Sequence, residues 1–151
     1  MGVAERRARE KQQRRDEILQ GAEELFFTRG FEGTKMREIA DAVELSKGTL
    51  YLYFKSKEEL AYAILLRSFD TLFELVLRAA EDAESGVEKI QAMAEAYVSF
   101  SREHYREFYF LHTFEGIVDR NLAETDESEF FGRLQRVKRI AVDAVETGMR
   151  D

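Results

Sequence analysis

Two serines that stand ten residues apart fix the length of a helix in the N-terminal half of the chain. Ser46 and Ser56 each precede a segment that favours helix, and serine is a preferred residue just before a helix begins. Glu59 follows Ser56 at the spacing of a capping box. The helix between the serines can hold only about eight residues, and a helix of that length is not stable alone in water. It must therefore pack against neighbouring helices.

The residues before Ser46 supply two such neighbours. Residues 16–29 predict one amphipathic helix, whose apolar face consists of Ile18, Ala22, Leu25 and Phe26. A shorter pattern capped by Thr34 predicts another, whose apolar face consists of Met36, Ile39, Ala40 and Val43. A three-residue turn, residues 43–45, joins the second helix to the third. Two short helices joined in this way are typical of a helix-turn-helix, whose second helix enters the major groove of DNA.

The remaining sequence predicts longer helices. Apolar residues recur at helical spacing in residues 57–84, 86–104, 107–118 and 127–147, residues 121–126 are predicted to form a loop, and the chain has no proline. Ser85 and Glu88 have capping-box spacing, and Gly148 is placed to end the last helix. We therefore expect an all-α fold. An N-terminal arm and a three-helix helix-turn-helix head, residues 1–56, are joined by a long fourth helix to a helical bundle body, residues 57–151.

Charge is distributed unevenly along this chain. The net charge is −7, yet the residues through Lys57 include 12 basic and 10 acidic side chains, whereas the rest include 11 and 20. Six basic residues lie between Arg6 and Arg15. A basic head on an acidic body suits a protein whose head binds an anion. For the arm alone, a solvated and partly disordered terminus is the alternative.

The start of the third helix carries side chains that suit DNA. Lys47 supplies charge, Gly48 lets the backbone approach closely, and Thr49 can bond a base edge or touch a thymine methyl group. Tyr51 and Tyr53 offer phenolic donors to phosphates. Packing of these tyrosines into the core is the alternative for each of them.

One uninterrupted stretch, residues 18–60, combines these features. Its motifs are Leu25-Phe26, Gly30-Phe31, Thr34, Ile39-Ala40, Ser46-Lys47-Gly48-Thr49-Leu50-Tyr51, Tyr53-Phe54 and Ser56-Lys57-Glu58. The stretch strongly resembles the DNA-binding domain of TetR-family transcriptional regulators. The resemblance implies a dimeric, ligand-responsive repressor that binds a palindromic operator. It also implies DNA contacts from Thr34, Lys35, Lys47, Gly48, Thr49, Tyr51, Tyr53 and Lys57.

The chain departs from the family pattern in two places. The family usually has a small residue and then glycine in the turn, where this chain has Val43 and Glu44. A residue other than glycine is strained there if the turn requires a positive φ. The second departure is length, because family members usually continue past Gly148 with two more helices that build the dimer interface.

The C-terminal part is rich in aromatic residues, although no motif identifies a ligand. We expect an apolar cavity between helices that takes a small apolar or aromatic effector. Its predicted lining is Phe69, Phe73, Tyr97, Phe100, Phe108, His112 and Glu115. Ordinary core packing is the alternative for each aromatic side chain.

An enzyme and a protein-binding adaptor are the alternatives to a DNA-binding regulator. The sequence has no Glu-x-x-His metal motif, no glycine-rich phosphate loop and no G-x-S-x-G elbow, so neither an enzyme nor a cofactor is expected. A helical adaptor that binds another protein through exposed Tyr51, Leu52 and Tyr53 is the remaining alternative. With no cysteine and no long apolar run, we expect a cytoplasmic protein that does not span a membrane.

Overall fold

The computed structural model describes residues 2–113 and 127–150, with the side chains of residues 127–131 left out. Within this part of the chain there are seven helices and no strand, which confirms the all-α prediction. The helices are α1 (Val3–Arg29), α2 (Met36–Ala42), α3 (Lys47–Tyr53), α4 (Lys57–Glu81), α5 (Gly86–Glu103), α6 (Tyr105–Thr113) and α7 (Glu127–Gly148).

The chain divides into two compact units, Met1–Ile64 and Leu65–Asp151. The first unit, here called the N-terminal unit, extends eight residues beyond the predicted boundary at residue 56 and includes the first two turns of α4. These turns belong to it because they contribute buried side chains, namely Leu60, Ala61 and Ile64. The second unit is called the C-terminal unit below.

The core of the N-terminal unit is built from the predicted apolar stripes. Ile18, Ala22 and Phe26 of α1 are buried, as are Met36, Ile39 and Ala40 of α2. Leu50 of α3 and Phe54, which follows α3, are completely buried. α1 contacts α2, and α2 contacts α3. Tertiary packing therefore holds the two seven-residue helices, as their length requires.

The N-terminal arm is helical, so the disorder in the alternative reading was wrong, whereas the solvent exposure in that reading is confirmed. α1 begins at Val3 instead of near residue 16, and it runs without interruption to Arg29. The Glu5 carboxylate accepts a hydrogen bond of 3.0 Å from the Gly2 backbone N–H at the start of the helix. Residues 2–14 are all exposed, so tertiary packing does not hold this part of the helix. Lys, Arg, Gln, Glu and Ala, which fill it, are strong helix formers.

The predicted cap of α2 was also wrong. Lys35, not Thr34, precedes the first residue of α2, and its backbone N–H donates to the Glu38 carboxylate over 2.8 Å. Thr34 is completely buried, and its hydroxyl donates to the Gly30 carbonyl oxygen over 2.8 Å. The hydroxyl thus satisfies a carbonyl at the end of α1 instead of an N–H at the start of α2. Gly30 ends α1 as predicted, with a φ of 78° that favours glycine.

Three other predicted helix starts are confirmed. The Ser46 hydroxyl oxygen accepts from the Thr49 N–H over 3.1 Å, and the Ser56 hydroxyl oxygen accepts from the Glu59 N–H over 3.1 Å. The Glu59 carboxylate bonds the N–H of Lys55, one residue before the serine. Ser85 makes both bonds of a capping box with Glu88, each 3.2 Å long.

The C-terminal unit is organised around α5, which contacts both α6 and α7. The start of α5 lies against the end of α7 so closely that a Cβ atom on Gly86 would be 2.7 Å from the Gly148 Cα atom. Ala144 of α7 is buried beside this contact. Glycine at residues 86 and 148 therefore permits backbone-to-backbone packing of the two helices.

Several predicted boundaries differ from the structure or lie outside it. α4 ends at Glu81 instead of residue 84, and α6 begins at Tyr105 instead of residue 107. The predicted end of the sixth helix at residue 118, the predicted loop at residues 121–126 and the predicted ligand residue Glu115 lie outside the described residues. Among the helices that are described, none is long and apolar enough to cross a membrane.

Candidate nucleic-acid interface

The outer face of α3 is exposed while its inner face is fixed in the core. Leu50 and Phe54 are completely buried on the inner side, whereas Leu52 is 83% exposed and Tyr51 is 40% exposed. Lys47 and Gly48 are exposed at the start of the helix, and Tyr53 is half-buried near its end. α3 is therefore a short helix that is anchored in the core on one side and exposes its polar first turn and Leu52 on the other. This is the geometry that a recognition helix needs to reach base edges.

The first turn of α3 is held by hydrogen bonds between side chains and backbone. The Ser46 hydroxyl lies 2.8 Å from the Thr49 hydroxyl and also caps the helix. The Lys47 ammonium lies 5.8 Å from the centre of the Tyr51 ring, within the range of a cation–π contact. Thr49 is half-buried, and its hydrogen bond to Ser46 holds the hydroxyl in place in the absence of DNA.

Lys57 joins the start of α4 to the loop after α1. Its ammonium donates to the Phe31 carbonyl oxygen over 2.7 Å and lies 4.1 Å from the centre of the Phe31 ring. An ammonium has three donors, so this internal hydrogen bond leaves Lys57 two more. Lys57 therefore has a structural role in addition to the DNA contact that was predicted for it.

The two predicted contact residues before α2 occupy different environments. Lys35 is exposed, so its ammonium can reach a phosphate. Thr34 is 0% exposed and bonded to Gly30, so its side chain does not reach the surface. We therefore assign Thr34 to the support of the turn between α1 and α2, and not to the DNA-facing surface.

The turn between α2 and α3 is strained at Glu44. Its φ is 57°, and it is the only residue other than glycine with positive φ in the described part of the chain. The expectation drawn from the missing turn glycine is therefore confirmed. Val43, the other unusual residue of this turn, packs on α1: a Cβ atom added to Gly21 would collide with the Val43 Cγ1 atom.

Comparison with known proteins places this arrangement in a family. Residues 18–64, which contain the C-terminal part of α1, all of α2 and α3 and the start of α4, match the profile of "Bacterial regulatory proteins, tetR family". The chain belongs to the TetR family. The matched region ends at the same residue as the N-terminal unit of the structure.

Individual TetR-family proteins agree with this assignment. The chain is 39% identical over 80 residues to the transcriptional repressor KstR2 of Mycolicibacterium smegmatis, a match that covers 53% of this chain and 39% of the relative. It is 37% identical over 90 residues to the transcriptional activator FasR of the same species, over 60% of this chain and 41% of the relative. The chain thus spans about two fifths of the length of these curated relatives.

A solved structure extends the similarity beyond the N-terminal unit. AibR in complex with isovaleryl coenzyme A and operator DNA superposes with a TM-score of 0.60 and 30% identity, over 89% of this chain and 69% of that chain. The similarity therefore includes helices of both units.

The predicted effector residues of this TetR-family chain fall into two groups in the C-terminal unit. Tyr97, Phe100, Phe108 and His112 come together where α5 meets α6; the Tyr97 and Phe108 ring centres are 5.5 Å apart, and those of Phe108 and His112 are 4.1 Å apart. The His112 Nδ1 atom lies 2.8 Å from the Phe108 carbonyl oxygen, which can only accept. Nδ1 therefore carries the proton, and in the neutral ring Nε2 accepts from the Tyr97 hydroxyl over 3.0 Å.

The other group, Phe69 and Phe73, lies on α4 with ring centres 5.5 Å apart. Phe73 lines a groove of about 310 Å³ between α4 and α7. The other lining residues are Asp70, Glu74, Leu77, Arg133, Arg136 and Val137. The Arg133 guanidinium and the Asp70 carboxylate form an ion pair of 2.6 Å across the groove.

Sequence reasoning missed the charged residues of this groove because it searched for aromatic ones. The signal was present in the spacing of both helices. Asp70, Phe73, Glu74 and Leu77 recur at intervals of three and four residues, so they share one face of α4. Arg133, Arg136 and Val137 repeat the pattern on α7.

Proposed function

We propose that this chain is a DNA-binding transcriptional regulator that acts on a two-fold symmetric operator as a homodimer and responds to a small effector. The observation that carries the proposal is the outer face of α3, where an exposed leucine and a polar first turn lie on a helix whose inner face is buried. Membership of the TetR family supports the same function.

Leu52 gives this proposal a direct test. Its exposed, apolar side chain is suited to contact with the methyl group of thymine in the major groove. Loss of one buried methyl group costs about 0.8 kcal/mol, which is roughly a fourfold loss of affinity. The operator is first selected from random DNA with the wild-type protein. Each thymine is then replaced by deoxyuridine, which lacks only that methyl group.

The expected result is that replacement of one particular thymine, in one half-site at a time, weakens binding of the wild-type protein about fourfold and leaves binding of Leu52→Ala unchanged. Lys35→Ala is the comparison variant. It should weaken binding to all duplexes and reduce the slope of log affinity against log salt by about 1.8 units, because it removes one phosphate contact from each chain of the dimer. Failure of the wild-type protein to select any sequence from random DNA contradicts the proposed function.

We place the effector in the groove between α4 and α7. Phe73 and Leu77 supply an apolar surface. Asp70 pairs with Arg133, so Arg136 is the guanidinium of this lining that we assign to an anionic group of the effector. An effector with an apolar portion and an anionic portion suits this lining. AibR was crystallised with isovaleryl coenzyme A, a molecule of that type, which supports the choice of a short acyl thioester as the first probe.

Calorimetric titration with a series of acyl-coenzyme A thioesters tests the groove. Arg136→Gln should weaken binding of the best thioester by about tenfold, since a hydrogen bond to a charged group contributes roughly 1.5 kcal/mol. Arg139→Gln removes the same charge from an exposed residue of α7 that does not line the groove, and it should leave the affinity unchanged. Equal losses in the two variants would assign the binding to general charge attraction.

A further inference from the structure

The N-terminal half of α1 carries a basic face that continues the buried face of the same helix. Ile18 and Ala22 are buried in the core of the N-terminal unit. Steps of three or four residues from Ile18 toward the N-terminus reach Arg14 or Arg15, Lys11 and Arg7. At 3.6 residues per turn, these four basic side chains lie within a sector of about 100°. They are called the basic stripe below.

The acidic side chains of this segment lie off the stripe or at its edge, and nearby residues form ion pairs or hydrogen bonds with them. Glu10 pairs with Arg6 at 3.7 Å, and the Asp16 carboxylate accepts from the Gln12 amide over 3.0 Å. Glu17 pairs with Arg14 at 3.0 Å, at the edge of the stripe. Positive charge therefore dominates one side of the helix even though the whole chain has a net charge of −7.

The stripe begins beside the candidate recognition helix. The Arg15 guanidinium lies 4.9 Å from the centre of the Phe54 ring, and Phe54 directly follows α3. This contact fixes the place where α1 leaves the core of the unit. From Arg15 to Arg7 the helix advances about 12 Å, at 1.5 Å per residue. That length corresponds to about seven phosphate charges of duplex DNA, at one charge per 1.7 Å.

We propose that the basic stripe binds the phosphate backbone of the same DNA duplex that α3 reads, next to the half-site. This inference rests on the proposed function and adds a second contact surface to it. Charge complementarity and continuity with α3 favour DNA over an anionic membrane. A helix that lies in a membrane surface needs a large apolar face, whereas the only apolar residues between Val3 and Arg15 are Val3, Ala4 and Ala8.

Two double variants with the same change of charge test the stripe. Arg7→Gln with Lys11→Gln removes two positive charges from the stripe, and Arg6→Gln with Arg9→Gln removes two from the other side of the same helix. Glutamine is a good helix former, so both variants should retain the helix, which circular dichroism checks. Operator affinity is measured for each protein between 50 and 200 mM salt on a long duplex that extends ten base pairs beyond each half-site.

The stripe variant should lose about 3.6 units from the slope of log affinity against log salt, because the two chains of the dimer together lose four phosphate contacts and each contributes about 0.9. The off-stripe variant should lose less than half of that. On a short duplex that ends at the half-sites, the wild-type slope should fall at least as far as the stripe variant's slope on the long duplex, because the short duplex removes the contacts of all four stripe residues.

Equal slope changes in the two variants, or no change in either, would overturn the proposal. A second result would also overturn it: both variants bind the operator equally, but only the stripe variant loses binding to vesicles of phosphatidylcholine and phosphatidylglycerol. That last result would assign the stripe to a membrane surface. These failures differ from failure of the proposed function, in which the wild-type protein binds no operator at all.

Discussion

At the scale of single residues, local hydrogen bonding decided which features could be predicted. Ser46 and Ser85 cap helices through bonds to residues three positions away, so the sequence alone contains both partners. Thr34 was misassigned because its hydroxyl has two possible partners in sequence, the start of α2 and the Gly30 carbonyl oxygen. Burial under the fold decides between them, and burial is not a property of the local sequence.

Glu44 provides a prediction about backbone strain. A left-handed conformation costs about 1–2 kcal/mol for a residue with a Cβ atom, whereas glycine adopts it freely and loses more entropy on folding. Glu44→Gly should therefore raise the free energy of unfolding by about 0.5–1 kcal/mol, measured by urea denaturation. Glu44→Ala removes the same carboxylate but keeps the Cβ atom. An equal gain in both variants would attribute the effect to charge.

Gly21 and Val43 should be energetically coupled. A methyl group on Gly21 collides with Val43 Cγ1, so Gly21→Ala should lower stability by about 1–3 kcal/mol. In the Val43→Ala background the collision disappears, and the added alanine should favour the helix. A double-mutant cycle checks this, with an expected coupling of about 0.5–3 kcal/mol. Additive effects would show that the turn moves aside without cost.

At the scale of helices, amphipathic periodicity predicted the existence of each element better than its limits. The arm was placed outside α1 because its residues lack an apolar face, yet a helix that has already formed extends through good helix formers at little cost. The charged groove residues, such as Arg133 and Asp70, were missed for a related reason. Periodicity places each of these residues on one face of its own helix, but it does not show that the two faces meet, because the ion pair joins helices that are distant in sequence.

The contact between α5 and α7 gives a prediction with a matched control. Gly86→Ala would place a Cβ atom against the backbone of Gly148, where no side chain can move away, so it should destabilise the protein by about 1–3 kcal/mol. Gly132→Ala, in the same helix as Gly148, meets nothing within 4 Å and should stabilise by up to about 1 kcal/mol. Thermal unfolding of both variants tests the pair. A neutral Gly86→Ala would contradict the close packing.

At the scale of the whole molecule, the proposed dimer makes a geometric prediction about its operator. Two copies of α3 must reach major grooves on one side of the duplex, so the half-site centres should be separated by about 34 Å or a multiple of it. An insertion of five base pairs between the half-sites turns one of them to the opposite side. Gel-shift titration should then show loss of the complex with two chains per duplex. Unchanged binding would indicate that each chain binds independently.

The length of α2 and α3 also determines how the N-terminal unit opens. Neither seven-residue helix can persist once it leaves the buried residues of α1. The backbone amides of α2 and α3 should therefore exchange with deuterium at one common opening free energy, as a single cooperative unit with residues 18–26 of α1. The amides of residues 6–14 lie outside that unit and should exchange much faster, so the two parts of one continuous helix are distinguished by their exchange rates.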